Sequence, residues 1–450
     1  MKQNTLSYFL VACLAIGLCG CLAPVPVATQ SAASRPKPLE VYGWNIAAAS
    51  LKELAPGFEA EHPEIPVHVN VSGANLQTRF MLSLAAGVGA PDISQLQRRE
   101  VPRYSRTGRL ADLTDWVAPY RNEFPESLWK DCMFEGRIYG IPWDIGPCAV
   151  FYKRSLFTRY GVDPDSIETW DDFIVAGQQI VERSGGRTKM LFHPSGSQEV
   201  LFEMLIRQAG GQVFDDDGRI AINSPETAKV LRILQRFVET GIGANTQYWS
   251  HAFYSSLNTE TVATYPMAVW FGGFMRDFAP KTEGDWGVFP LPAFEPGGLR
   301  TSTLGGSALV IPEQCTRKEA AWKYIEAMLC TKEAQLIQFR DFDLFPALTT
   351  TYSDPFFDEP VPLFGGQHAR RLFTQDIDKI LPFNYTKDWM EAIAYIQQSL
   401  SRWASSGMED PEAFLADLEV RMSQRLVREI SPNSLSRRSA RLDARAGEDG

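Results

Sequence analysis

Apolar positions along the chain switch repeatedly between a period of two and a period near 3.6, the mark of strands alternating with helices. LEVYGW (39–44) reads as a short apolar strand. The stretch 45–61 reads as a helix, with Leu51, Leu54 and Phe58 on one face. Pro56 predicts a kink inside it, because proline removes a helical N–H and its ring crowds the preceding turn. Val67, Val69 and Val71 alternate with His68 and Asn70 as a second strand. A helix over 75–86, a turn at 87–91 and a third strand over 92–96 complete a β-α-β-α-β run. Such a run predicts a parallel, helix-covered sheet with right-handed crossovers, and ligands bind these sheets beyond the carboxyl ends of the strands. Trp44, Asn45, Ser72, Gly73 and Gln95 fall at those ends, with Asn75 just past the second. Trp44 reads equally well as a core ring under the next helix.

The stretch GRIYGIPWDIGPCAVFYKRSLF (136–157) sets two apolar runs on either side of Trp143-Asp144-Ile145-Gly146-Pro147. Alone it fits a hairpin at a sheet edge, or a crossover between two lobes with Trp143 and Asp144 at a cleft. The βα units before it and the separate helix-rich block after it favour the crossover. Trp143 then either meets the ligand or packs under the first lobe. Helices are expected over 153–161, 170–184 (capped by Thr169), 199–209, 225–237, 318–329, 387–403 and 411–427. Asp215-Asp216-Asp217-Gly218 lacks the remaining ligands of a calcium loop and reads as a solvated turn. The residues after Ile430 show no apolar periodicity and are expected to be disordered.

Composition narrows the function classes more than the fold. The 450 residues are 44% hydrophobic and 22% charged, enough for a large core and more than one domain. The net charge of −10, without a basic block in the globular part, argues against a nucleic-acid partner. Aromatics reach 12% with 11 Trp; most must be core, while a minority can line a cleft. The five His show no metal-ligand spacing and no cofactor motif appears, so neither metal nor cofactor is expected. Cys132, Cys148, Cys315 and Cys330 are expected as buried free thiols, a Cys132–Cys148 disulfide being the alternative in an exported chain.

The first residues read as a signal peptide: Lys2, then an apolar run from Tyr8 to Leu18 too short for a comfortable membrane span. Leu18-Cys19-Gly20-Cys21 resembles the lipobox of bacterial lipoproteins, which implies lipidation at Cys21. The Ala-, Pro- and Ser-rich stretch after it reads as a flexible tether.

A wider resemblance rests on FEAEHPEIPVHV (58–69), LAAGVGAPDIS (84–94), GRLADLTDWV (108–117), GRIYGIPWDIGPCAVFYKRSLFTRYGV (136–162), TWDDF (169–173) and GGQVFDDDGRIAINSPETAKVL (210–231), with PLPAFEPGG and EAAWKYIEAML later. In this order they resemble the extracellular solute-binding proteins of ABC importers, in the carbohydrate-type family 1 that includes maltose-binding protein. The resemblance implies an α/β fold of two lobes (type II), each a helix-covered and mainly parallel sheet, joined by three crossovers. The divisions implied are a signal peptide at 1–20, a linker at 21–38, a first lobe from 39–143 plus 293–342, a second from 144–292 plus 343–430, and a tail at 431–450. The second and third crossovers are expected near GVFPLP (287–292) and RDFDLFP (340–346).

The same resemblance assigns TVATYPMAVWFGGFMRDF (261–278) to a cleft wall with an aromatic ring for a sugar. Trp270 precedes Gly272-Gly273, and Phe274 stands where the family has a Trp, so either ring fits the role and Trp270 fits a buried strand equally. Gly305 and Gly306 fall where backbone approaches ligand closely, and Trp389 where an aromatic can face it. The implied function is capture of a solute, most simply a mono- or oligosaccharide, by hinge closure, and delivery to a membrane permease. Trp44, Trp143, Trp270, Phe274 and Trp389 are the stacking candidates; Asn45, Asn75, Gln95 and Asp144 are the polar ones. The chain would be exported and held at the membrane by its lipid. A secreted glycoside-acting enzyme is the rival reading, but it needs two flanking carboxylates and only Asp144 offers itself. A receptor of this fold for a signalling or non-sugar solute is a third.

Overall fold

The computed structural model describes residues 36–73, 75–193, 199–408 and 410–437. The expected signal segment, the lipobox with Cys21, most of the tether and the tail beyond residue 437 lie outside them. All elements below belong to the unit that begins at Pro38. The strands are β1 (Leu39–Trp44), β2 (Val67–Ser72), β3 (Ile93–Gln97), β4 (Met133–Phe134), β5 (Arg137–Ile138), β6 (Ile141–Pro142), β7 (Cys148–Lys153), β8 (Leu191–Phe192), β9 (Gly243–Ala244), β10 (Thr264–Ala268), β11 (Trp286–Pro290) and β12 (Ser307–Val310).

The first sheet has the order β2-β1-β3-β12-β6. β1 is parallel to both β2 and β3, and β12 is antiparallel to both β3 and β6. Its two faces are both covered, and β12 shows why: Leu309 joins one core while Ala308 and Val310 join another. Helix Asn45–Glu61 packs Leu51 and Phe58 into the first core; helix Leu76–Ala86 packs Phe80 and Leu84 into the second. The expected break at Pro56 does not occur, and the helix runs through it. Pro56 lies on the exposed face, where water can satisfy the carbonyl it frees, while Leu51, Ala55 and Phe58 are buried on the other.

The second sheet repeats the scheme. β7 is flanked by β10 and β11, both antiparallel to it. β8 pairs parallel with β9. The parallel bridge Lys189–Val262 and the Thr264 N–H donating to the Met190 carbonyl (2.8 Å) tie β8 to β10. Strands β8 to β11 therefore share one direction and β7 opposes them, as β12 opposes its neighbours in the first sheet. The sheet is covered by helix Trp170–Arg183, whose capping box between Thr169 and Asp172 matches the expected start, and by helices Glu199–Ala209 and Pro225–Glu239.

Two expected boundaries shift. Residues 293–302, expected in the first lobe, pack on the second. The Ala293 N–H donates to the Glu168 carbonyl (2.8 Å), Arg300 donates to the Ile167 carbonyl (2.8 Å), and the Ser302 hydroxyl donates to the Met204 carbonyl (2.8 Å). At 287–292, where the second crossover was expected, the chain forms β11, an edge strand of the second sheet beside β7. Residues 431–437, expected as disordered, are held by polar contacts that apolar periodicity cannot reveal. The Ser431 N–H donates to Ile220 (2.8 Å) and the Leu435 N–H to Asn223 (2.9 Å). Cys132 and Cys148 are free and buried, and burial pushes both thiols above their usual pKa.

Candidate functional site

Strand order locates the site before any side chain is considered. In the first sheet the chain runs from β1 out to β2 and back past β1 to β3, so order reverses between β1 and β3. In the second it reverses between β8 and β10. Crevices form at such switch points, beyond the strands' carboxyl ends. The residues there are Trp44 at the end of β1 and Asn45 after it, Arg98 and Arg99 after β3, His193 after β8, and Val269 and Trp270 after β10.

Between the two sheets, three stretches of chain lie side by side. The Trp143 N–H donates to the Ser307 carbonyl (2.9 Å), the Leu304 N–H to Gly146 (2.9 Å) and the Ile145 N–H to Phe345 (3.1 Å). Bridges Pro147–Thr303 and Asp144–Pro346 extend the ladder. Arg98 clasps this junction. Its guanidinium donates to the carbonyls of Asp144 (3.2 Å) and Gly305 (2.8 Å), and its backbone N–H to that of Gly306 (3.2 Å). Gly306 has φ +96, and a Cβ there would stand 2.6 Å from Arg98 Nη2.

A buried ionic chain continues from Arg98 into the second lobe. Arg98 Nε is 3.6 Å from Asp131 Oδ2, and Arg207 Nη1 is 3.5 Å from Asp131 Oδ1. Arg207 also donates to the Tyr385 hydroxyl (2.8 Å), which donates to Glu203 (3.0 Å); Glu203 in turn pairs with Arg99 (2.8 Å). Burial raises the pKa of Asp131 in spite of Arg207 and Arg98. Burial also acts against the Arg207 charge, yet Tyr385 and Asp131 beside it raise its pKa. None of Arg98, Arg99, Asp131, Glu203 and Arg207 stood out in the sequence. The only signal was a charged run, Arg98-Arg99-Glu100, placed directly after a strand.

The expected ligand residues divide. Trp143 is 1% exposed, and its indole N–H donates to Gln338; it belongs to the first lobe's core. Asp144 is half-buried, and its Oδ1 accepts from the Ser307 N–H (2.8 Å) and hydroxyl, so it fastens the first crossing to the start of β12. Gln95 is buried and accepts from the Trp44 N–H (2.9 Å), stabilising the strand end rather than facing a cleft. Trp389 is 1% exposed, packed edge-on against Tyr385 and Phe383 as the first residue of helix Trp389–Ser405. Gly272 is buried toward Phe364 and Leu363. Gly305 and Gly306 lie in the second crossing, both with positive φ. Trp44 is half-buried, and Asn45 (φ +53) and Asn75 are exposed.

Trp270 and Phe274 are half-buried and stay together, their rings 5.9 Å apart. The Trp270 indole N–H donates to the Leu304 carbonyl (3.0 Å), so this ring abuts the second crossing. Tyr254 and Phe278 continue the aromatic row, with Tyr254 4.3 Å from Phe278. Strand-end amides near one switch point and a hinge-anchored aromatic row at the other suit a ligand with both apolar faces and hydrogen-bonding edges.

His193 makes the site's support sensitive to acid. It is buried edge-on to Phe237, and burial pushes its pKa down to about 4 from 6.5. The unfolded chain takes up this proton near pH 6.5 and the folded chain only near 4, so stability is full above 6.5 and falls as pH drops toward 4. The expected loss is about 3 kcal/mol across that window. Urea unfolding at stepped pH should show it, and His193→Leu should flatten that part of the curve.

The profile of the bacterial extracellular solute-binding proteins matches residues 43–335. An arabinooligosaccharide-binding protein of Halalkalibacterium halodurans is 26% identical over 331 residues, covering 71% of this chain and 74% of the relative. A lactose-binding protein of Rhizobium radiobacter is 24% identical over 363 residues, covering 77% and 83%. Among solved structures, the sugar-binding protein MalE from Xanthomonas citri superposes with a TM-score of 0.75 at 21% identity, over 87% of this chain and 98% of that one. That likeness is one of fold: two lobes, each a helix-covered sheet. With its family profile matched over well above half its length, the chain belongs to the bacterial extracellular solute-binding proteins.

Proposed function

We propose that the protein is the receptor of an ABC importer that captures a sugar between its lobes, closes about the three crossings and presents the sugar to a membrane permease. The observation that carries this reading is the aromatic row that starts against the second crossing at Trp270. A flat ring there covers the apolar C–H face of a sugar, and amides such as Asn45 and Asn75 suit its hydroxyls. A ligand touching both lobes favours the closed form by its extra contacts. The arabinooligosaccharide- and lactose-binding relatives support a carbohydrate ligand. Binding without turnover is expected, since Asp144 already spends one carboxylate oxygen on Ser307. The lobes we infer meet at 143–147, 303–306 and 343–346. A cleaved signal, lipid on Cys21 and a tether over 22–38 would hold the receptor near its permease and raise its effective concentration there.

Isothermal titration against arabinose, xylose, glucose and galactose and their short oligomers tests the reading. At least one is expected to bind with unit stoichiometry and no product release. Trp270→Ala should weaken that binding about ten-fold or more, while Trp270→Phe, which keeps a ring but loses the N–H, should retain most of it. Equal affinity in all three proteins would remove Trp270 from the site.

A further inference from the structure

Trp249 stands out among the aromatic side chains. It is 41% exposed, and its backbone has φ +64, a conformation that bulky residues rarely adopt. It lies between β9 and the short helix His251–Ser256, whose N-cap, Ser250, accepts from the Phe253 N–H. Contact with Tyr254 (6.4 Å) across that cap fits a hydrophobic staple, which any apolar side chain could supply from an ordinary backbone. The staple does not explain the rest of the surroundings. Trp249 lies 6.0 Å from Trp270 with the planes inclined by 33°, and 5.7 Å from Phe274. Its ring is thus held on its inner side by others while much of its surface stays open. Backbone strain of this kind persists only where the surrounding structure holds the residue in place.

We infer that Trp249 is an outer stacking position, one ring farther from the hinge than Trp270, and that the ligand is an oligosaccharide rather than a single sugar. The inference rests on the sugar reading above and deepens it. Trp270 is anchored to the second crossing through the Leu304 carbonyl, so a sugar unit over it sits nearest the hinge. The 6.0 Å step to Trp249 is on the scale of one sugar unit along a chain, which places the next unit over the exposed ring. A pre-positioned Trp offers broad contact at little entropic cost, because its neighbours already fix its rotamer.

The test uses the sugar series above, each from monomer to trimer, with wild type, W249L and W249F. Leucine keeps the apolar staple and removes the flat face; phenylalanine keeps a smaller one. The wild type is expected to bind a dimer or trimer about ten-fold or more tightly than the monomer of the same series. W249L should lose most of that gain with monomer binding and melting temperature unchanged, and W249F should fall between. A wild type that binds monomer and trimer equally, or a W249L that keeps the full gain, overturns the outer position while leaving the sugar reading standing. A W249L that loses melting temperature but not the gain shows a staple only and also overturns it. Absence of binding to every sugar overturns the sugar reading itself, and this inference with it.

Discussion

Alanine at Gly146 or at Gly306 is expected to destabilise the protein by about 4 kcal/mol and to weaken sugar binding with it. The two glycines lie where the first and second crossings touch, and each fails for its own reason. A Cβ on Gly146 would lie 2.2 Å from the Leu304 carbonyl oxygen, a backbone atom that cannot swing aside. Relief requires the two crossings to separate, which breaks the Leu304 N–H bond to Gly146. At Gly306 a Cβ would lie 2.6 Å from Arg98 Nη2 and 2.8 Å from the Asp144 carbonyl, at a φ of +96 that disfavours any side chain. Gly305 is the internal control. Its φ is also positive, at +77, but its nearest neighbour would be the Trp270 indole nitrogen at 3.4 Å. Alanine there should cost only the backbone strain, about 1–3 kcal/mol. Urea unfolding of the three variants measures the order; a Gly305 variant as damaged as the Gly306 variant would show that dihedral strain, not collision, limits Gly306.

Arg98→Ala is expected to lose about 3–5 kcal/mol, because it leaves a buried carboxylate short of one of its two cations and strips donors from two crossing carbonyls. Asp131 would then face Arg207 alone, and its pKa, already raised by burial, should rise further. The double variant R98M/D131N should recover part of the loss, since removing both charges avoids stranding either. The hinge contacts to Asp144 and Gly305 are not restored by methionine. Sugar affinity should therefore stay reduced in the double variant even where unfolding free energy recovers. Recovery of both quantities together would assign Arg98 to charge balance alone.

The alternation of periods two and 3.6 was enough to find β1, β2 and β3 and the helices between them, because each buries its own stripe. Trp143-Asp144 was legible as a crossing only through its context, the βα units before it and the separate helix-rich block after it. The orientation of its side chains was not legible. Trp143 turns inward because Gln338, far along the chain, offers its indole N–H an acceptor, and Asp144 turns to Ser307 for the same kind of reason. Trp389 was misjudged likewise: a ring at a helix start looks the same in sequence whether Tyr385 and Phe383 cover it or a ligand does. The ionic chain from Arg99 to Arg98 escaped notice because its members come from four separate stretches, and pairing across such distances leaves no local pattern. Trp249 escaped because a polar loop carries no periodicity against which an exposed ring could stand out.

The strand β12 carries a consequence for how the chain acquires its shape. It fills the gap between β3 and β6, yet it is synthesised after every strand of the second sheet. Until it arrives, β3 and β6 have no partner between them, and the two cores that β12 faces lack Ala308, Leu309 and Val310. Loop closure over so long a chain is slow, since its entropy must be given up before the contacts form. The early residues are thus kept from folding to completion on their own, whatever their local preferences. A nascent chain with this strand order stays open until about two-thirds of it exists, and an open chain is the form that a translocation channel can thread.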